Sequence, residues 1–275
     1  MKVGVAGLGM IGGDVALGLL ASGYEVAGYD VRAGAFEQFD GLVDVPATAM
    51  ELGETADVLF VAVYDDAQLV ELLSAADGVL AARRPPRVIV VLSTVTLDTV
   101  RWAAAEGARL GVSVLDCGVS AGAATGRRDM VTMIGGDPDA VEMIRPYLAS
   151  FSSATFHMGP VGSGMHAKIA RNMYHYATRI AAWEGVRLAA AAGLDPRVFV
   201  DLVKTCARAS GPFDLFDRGI GWPTPSTVDE ETRLRAASYA HKDLELSFAL
   251  GDELGIDLPA ARLADELYDA ALDLA

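Results

Sequence analysis

The chain has 275 residues, with 37 Asp and Glu against 22 Lys and Arg, so its net charge is −15. Hydrophobic residues make up 52% and charged residues 21%, which excludes a disordered or low-complexity chain, and the acidity opposes a nucleic-acid binder or a basic membrane-surface protein. Two cysteines, Cys117 and Cys206, with no CxxC exclude a disulfide framework and a structural zinc site; free thiols in a reducing compartment are expected, hence a cytoplasmic protein.

Met1-Lys2 ahead of apolar residues has the look of a signal peptide, but Asp14 interrupts the apolar run, so the segment reads as structure rather than targeting. Val3–Ala6 predicts a short strand, and helical spacing follows over Met10–Ala21 until Gly23 stops it. Further strands are predicted at Glu25–Tyr29, Asp57–Val63, Arg87–Leu92, Ser113–Leu115 and Val131–Ile134, with helices over Ala67–Ala75 and Leu97–Leu110. Asp65 and Asp66 read as a helix start rather than a metal pair. Continuous apolar strands alternating with helices predict a doubly wound parallel sheet covered on both faces, a Rossmann-type α/β domain.

The pattern changes near residue 160. Residues 146–167 carry no formal charge, yet prolines, glycines and serines interrupt them, so they are too broken for a membrane span of about 20 apolar residues. Phe156–Gly164 reads as a glycine-rich connection. Helices are then predicted over Met165–Ala192, Pro196–Arg208, Glu231–Leu254 and Ala260–Ala271, with no strand among them. The expected division is a dinucleotide-binding domain at residues 1–158 and an all-helical domain at 159–275.

Gly7-Leu8-Gly9-Met10-Ile11-Gly12 fits GxGxxG between a predicted strand and a predicted helix, the context that a dinucleotide cradle requires. Gly7 permits the tight turn, Gly9 the approach of a pyrophosphate and Gly12 the close packing of helix on sheet. Asp30 ends the second strand, 18 residues after Gly12, where a carboxylate accepts from the ribose hydroxyls and favours NAD over NADP. Arg32 lies nearby and can meet a 2′-phosphate, which leaves NADP open.

Two further blocks carry candidate chemistry. Gly162-x-Gly164-x-x-x-Lys168-x-x-x-Asn172 opens the long helix, and the spacing puts Lys168 and Asn172 on one helical face. A helical lysine is ordinarily a solvated side chain. This chain has four lysines (Lys2, Lys168, Lys204 and Lys242), so each is more informative than usual. Asp116 to Gly122, Asp-Cys-Gly-Val-Ser-Ala-Gly, follows a predicted strand; it reads as a plain loop or as an anion nest of amides and a hydroxyl. His157, His166, His175 and His241 have no metal-ligand spacing, so no metal is expected.

In these blocks the chain resembles the β-hydroxyacid dehydrogenases, the group that includes 3-hydroxyisobutyrate dehydrogenase. The matching blocks are Val5 to Gly12, Asp116 to Gly122, Gly162 to Asn172, and His241-Lys242-Asp243-Leu244-Glu245-Leu246, supported by Ser93-Thr94, Ile134 to Asp137 and Gly255 to Pro259. The resemblance implies an NAD(P)-dependent oxidoreductase acting on a small anionic β-hydroxy acid or its oxo counterpart, with Lys168 as general acid and base. It implies substrate contacts at Ser120, Ala121, Gly122, Asn172 and Lys242. Cofactor contacts are implied at Gly7, Leu8, Gly9, Met10, Ile11, Gly12, Asp30, Val63, Tyr64, Thr94 and Lys242. It also implies a homodimer or homotetramer paired through the helical domains.

The chain departs from the family pattern at several places. Gly118, Tyr64 and Thr96 stand where proline is frequent, Ala121 where the first of two glycines stands, and Arg171 where the first of two asparagines stands. Arg127 and Arg128 replace small residues and are candidates to read a second anionic group. Trp222, in a loop before a long helix, is a candidate cleft or subunit-contact residue. The imine reductases share the two-domain plan but usually carry aspartate or tyrosine at the position of Lys168; a non-catalytic nucleotide-binding scaffold is the remaining alternative.

Overall fold

The computed structural model describes residues 2–39, 44–121, 129–206, 212–213, 216 and 226–274. Gly122, Arg127, Arg128 and Trp222 lie outside the described residues. The chain forms two compact units, Met1–Asn172 and Met173–Ala275.

The first unit holds seven strands: β1 (Val3–Ala6), β2 (Val26–Tyr29), β3 (Val58–Val61), β4 (Val88–Val91), β5 (Ser113–Ala121), β6 (Met130–Gly135) and β7 (Ser152–Gly159). Its helices are α1 (Met10–Ala21), α2 (Ala49–Thr55), α3 (Asp66–Ser74), α4 (Leu97–Arg109) and α5 (Pro138–Leu148). The sheet order is β2-β1-β3-β4-β5-β6-β7. All neighbours are parallel except β5 and β6, so the sheet is mixed rather than wholly parallel. Asp44 adds a single parallel bridge to Ala27 on the outer edge of β2.

The continuous apolar runs follow from burial on both faces. Val3, Val5, Val58, Phe60, Val88 and Val90 join one core cluster, while Ala6, Leu59, Val61, Ile89 and Val91 join the other. This is the period of two expected for alternating side chains. Phe60 meets Phe151 edge to face at 5.5 Å in the first cluster.

Two sequence expectations are corrected here. Phe156–Gly159, expected to open the glycine-rich connection, is instead the second half of strand β7, Ser152–Gly159. It lies at the sheet edge and is largely half-buried or exposed, so no apolar run marks it. Asp116 to Ala121 belongs to β5 rather than following a strand; Gly118 and Ser120 interrupt the apolar signal, but pairing with β6 carries the strand on.

Helix starts follow the side chains available to cap them. Asp65 accepts from the Gln68 amide at α3, Thr96 from Thr99 at α4 and Asp137 from Ala140 at α5. Asp66 lies in the first turn of α3 and also takes the Thr96 amide and hydroxyl.

Helix α6 (Ser163–Ala191) begins in the first unit and continues into the second, which also holds α7 (Pro196–Cys206), α8 (Glu230–Leu254) and α9 (Pro259–Ala271). The chain leaves the sheet after Gly159, the last residue of β7, and the compact units divide at 172/173, within α6. In the second unit, buried Glu184 accepts from the Ala260 amide at 2.8 Å and the Ala261 amide at 3.1 Å. It thereby caps α9, whose own N-cap residue, Leu258, has no polar side chain. Among the described residues no helix is long and apolar enough to cross a membrane.

Candidate active site

The strand order reverses at β1, with β2 on one side and β3 on the other. Ligands of open α/β sheets bind beyond the strand ends at such a point. Gly7 follows β1 there with φ +83°, and a Cβ on it would lie 2.4 Å from the Ala62 carbonyl oxygen. A Cβ on Gly12 would lie 1.8 Å from the Gly7 carbonyl oxygen. The fold itself therefore demands both glycines.

Gly9 differs, because a Cβ there would meet nothing closer than Arg32 Nη2 at 3.8 Å. Among the described residues nothing fills this space. Gly9 caps α1 without a side-chain hydrogen bond, and the first turn holds no acidic residue. The leading amides of α1 thus lack a side-chain partner and can take an anion. Leu8 is buried, and its amide donates to Asp30 Oδ2 at 2.8 Å, so that amide faces the protein and not a phosphate.

A groove of about 870 Å³ runs from this cradle to Lys168. Gly7, Gly9, Met10, Ile11, Asp30, Val63, Tyr64 and Thr94 line it together with Lys168. Leu8 and Gly12 are buried behind the wall. Ser93 also lines the groove; it is buried, and its Oγ has no hydrogen-bond partner among the described residues. An orphaned buried hydroxyl on a groove wall is a donor and acceptor awaiting a ligand. Sequence reasoning noted Ser93 only as a supporting match and proposed Thr94; burial, not residue type, distinguishes the two. The empty space at Gly9, the uncapped start of α1 and the orphaned Ser93 hydroxyl all fit a nicotinamide dinucleotide.

Asp30 does not stand free. Its Oδ1 accepts from the Arg32 amide at 2.8 Å and Arg32 Nε at 3.0 Å; its Oδ2 accepts from the Leu8 amide at 2.8 Å and Arg32 Nη2 at 3.0 Å. These bonds fill the acceptor positions of a carboxylate. Burial pushes its pKa up, but the hydrogen bonds from Arg32 and Leu8 outweigh this and hold it below the usual range. The Arg32 side chain is itself largely exposed, beside Gly9.

Strand β5 positions the lysine. Asp116, fully buried, accepts from the Gly162 and Met165 amides at 2.6 Å each, which fixes the start of α6 on the strand. Sequence reasoning missed this role; it depends on a contact between residues some 46 positions apart. A Cβ on Gly118 would lie 2.5 Å from Lys168 Cβ, so the lysine stem lies directly on the strand backbone. Lys168 Nζ donates to the Val119 carbonyl and, at 3.2 Å, to Ser120 Oγ. Burial, and then the charge of Arg171, pull the pKa of Lys168 below the usual lysine range.

The remaining expected residues are placed as follows. Ser120 is buried at Lys168. Ala121 ends β5. Asn172 Oδ1 lies 3.4 Å from Arg171 Nη1. In the second unit, Lys242 pairs with Asp243 at 3.2 Å and lies over the Tyr239 ring. His241 is held between Asp265 at 2.6 Å and Asp269 at 3.0 Å. Cys117 is buried in β5, where desolvation and then Asp116 push its thiol up, so it is no nucleophile. Among the described residues no cluster of three or more His, Cys, Asp or Glu is placed to hold a metal ion.

A mostly parallel sheet with a glycine cradle at its switch point, and a half-buried lysine on the same groove, defines an NAD(P)-dependent oxidoreductase. The family model for the NAD-binding domain of 6-phosphogluconate dehydrogenase matches residues 2–159, and that for the NAD-binding domain of NADP-dependent 3-hydroxyisobutyrate dehydrogenase matches residues 162–274. The chain belongs to the β-hydroxyacid dehydrogenase family, as a 3-hydroxyisobutyrate dehydrogenase-like member. An uncharacterized oxidoreductase of Mycobacterium tuberculosis is 31% identical, over 98% of this chain and 93% of the relative. An L-threonate dehydrogenase of Cupriavidus necator is 31% identical, over 97% of this chain and 89% of the relative. The crystal structure of a putative oxidoreductase from Mycobacterium avium superposes with a TM-score of 0.84 at 30% identity, covering 99% of each chain.

Proposed function

We propose that this chain interconverts a small β-hydroxy acid and its oxo or semialdehyde counterpart, with Lys168 as the general acid and base. Residues 1–158 serve as the dinucleotide domain and residues 159–275 as the helical substrate and dimerisation domain. The observation that carries the reading is Lys168 Nζ, held by Val119 and Ser120 on the wall of the groove that begins at the glycine cradle. A bound nicotinamide dinucleotide supplies the hydride acceptor or donor.

In oxidation, Lys168 Nζ takes the hydroxyl proton; in reduction it returns that proton to the developing alkoxide. Burial, with Arg171 adding to it, lowers the lysine pKa, which raises the fraction of neutral amine ready to act as base. Ser120 and Asn172 orient the reacting oxygen and the substrate carboxylate. Gly7, Gly9, Met10, Ile11, Val63, Tyr64, Ser93 and Thr94 hold the dinucleotide.

Asp30 and Arg32 together set the cofactor choice. Ribose hydroxyls can reach the carboxylate only when Arg32 swings out, and the exposed Arg32 needs no core rearrangement to do so. With Arg32 in place, its guanidinium offers a cation to a 2′-phosphate. Both NAD and NADP are therefore accepted.

The decisive experiment is Lys168→Ala, assayed for dinucleotide reduction against β-hydroxy acids and titrated separately for NAD and NADP binding. Turnover is expected to fall by at least ~10² while dinucleotide affinity is retained. Near-native turnover refutes the role of the lysine. The chain is further proposed to act as a homodimer or homotetramer, because α7 and α9 bury none of their residues and leave Val198, Leu202, Leu263 and Leu267 exposed.

A further inference from the structure

We infer that Arg171 is a specificity-determining residue that pairs with a second anionic group on the substrate, so that the site selects hydroxy diacids over hydroxy monoacids. The inference rests on the dehydrogenase reading of the Lys168 site.

Residues 168, 171 and 172 are spaced i, i+3 and i+4 on α6, so Arg171 and Asn172 flank Lys168 on one helical face. Arg171 is half-buried. Its one described polar contact is the Asn172 Oδ1 atom, 3.4 Å from Nη1. Seven other arginines (Arg32, Arg84, Arg101, Arg109, Arg145, Arg235 and Arg262) sit against a carboxylate. Arg171 meets none among the described residues.

Among the described residues Lys168 is likewise held by a carbonyl and a hydroxyl, and the charge that acts on it is that of Arg171. Arg171 thus stands as a cation beside the half-buried lysine, without a carboxylate among the described residues, in a chain whose net charge is −15. A substrate with a single carboxylate, held by Ser120 and Asn172, leaves the guanidinium uncompensated. A hydroxy acid with a second carboxylate supplies its partner, and the planar guanidinium binds that group in two parallel hydrogen bonds. Asparagine, the frequent residue at this position, has no charge to offer.

The test compares the wild type with Arg171→Asn and Arg171→Lys, each loaded with NAD or NADP. The substrates are 3-hydroxyglutarate and 3-hydroxypentanoate, which have the same chain length and differ in one terminal carboxylate. Direct binding of two unreactive acids, glutarate and pentanoate, is measured by calorimetry. Arg171→Asn is expected to lower the ratio of kcat/KM for the diacid to that for the monoacid about tenfold to a hundredfold, mainly through the KM of the diacid, while any change in the Lys168 amine acts on kcat for both substrates alike. Arg171→Lys recovers part of the loss. Retained dinucleotide affinity in both variants establishes that they fold.

Wild-type preference for glutarate over pentanoate that disappears in Arg171→Asn upholds the inference even if no hydroxy acid is turned over; the dehydrogenase reading then fails alone. Turnover of both substrates with an equal effect of Arg171→Asn on each, or equal wild-type binding of glutarate and pentanoate, overturns the role of Arg171 and leaves the dehydrogenase reading standing.

Discussion

A single hydrogen atom at Gly118 decides where the proposed acid and base sits. The Cβ that alanine would add comes within 2.5 Å of Lys168 Cβ and 3.1 Å of the Gly164 carbonyl oxygen. Neither neighbour is the free end of a flexible chain, so the lysine stem or the start of α6 must move. Displacements near 1 Å at reacting groups cost about a hundredfold in rate. Gly118→Ala is therefore expected to lower kcat by about tenfold to a hundredfold while leaving NAD and NADP affinity at the wild-type value, since the cradle at Gly7 to Gly12 is untouched. Parallel measurement of kcat and dinucleotide binding checks this, and an unchanged kcat would show that the stem does not depend on the glycine. Asp30 teaches the complementary lesson. Its position after β2 was readable from spacing, but the closing of its acceptor positions by Arg32 depends on a rotamer that no spacing encodes.

At the scale of elements, β5 acts as the index for the lysine: Asp116 fixes the start of α6, Gly118 admits the Lys168 stem, and Val119 and Ser120 hold its ammonium. The central strands and α1 were legible because burial on both faces leaves an unbroken apolar run, and because Gly9 and Gly23 bracket the helix. The edge strand β7 was not, since none of its positions is buried and no apolar run marks it, and the antiparallel direction of β6 is set by tertiary pairing alone. His241 was legible as a residue without metal spacing, but its clamp is a property of the α8–α9 pair. The imidazole bridges Asp265 and Asp269, one turn apart on α9, with Tyr268 edge-on beside it. The hydrogen bonds to Asp269 and then Asp265 raise its pKa above the ordinary 6.5. The sign follows: the stabilisation is fully present below the unfolded value and is lost as pH rises through the folded one. Thermal stability is expected to decline as pH rises above about 6.5 because this clamp weakens, and the decline is expected to be smaller in His241→Gln. Melting curves of both proteins across that range test it, and identical pH slopes would remove the clamp from the stability of the second unit.

At the scale of the whole molecule, the two units are stabilised differently. The first carries two continuous apolar clusters, one on each face of its sheet. The second has a small buried cluster around Ala237 and Leu272, while Ile180, Trp183, Val198, Leu202, Leu263 and Leu267 remain more than half exposed. Helices of 11 and 13 residues are marginal alone and draw their stability from a covered apolar face. A second copy of the chain presents the same uncovered faces, and an isologous pairing would bury both sets at once. The expected solution mass is therefore at least twice 28.8 kDa. Because association stabilises only the folded state, the melting temperature should rise with protein concentration. Glutamate at both Val198 and Leu202, one turn apart on α7 and 66% and 57% exposed, should shift the protein toward monomer and lower its melting temperature. Leu110→Glu, at an exposed position of the first unit, should leave both unchanged. Sedimentation equilibrium over a dilution series decides the matter: a wild type that stays monomeric at micromolar concentration, or a double variant that stays paired, would rule out α7 as the interface.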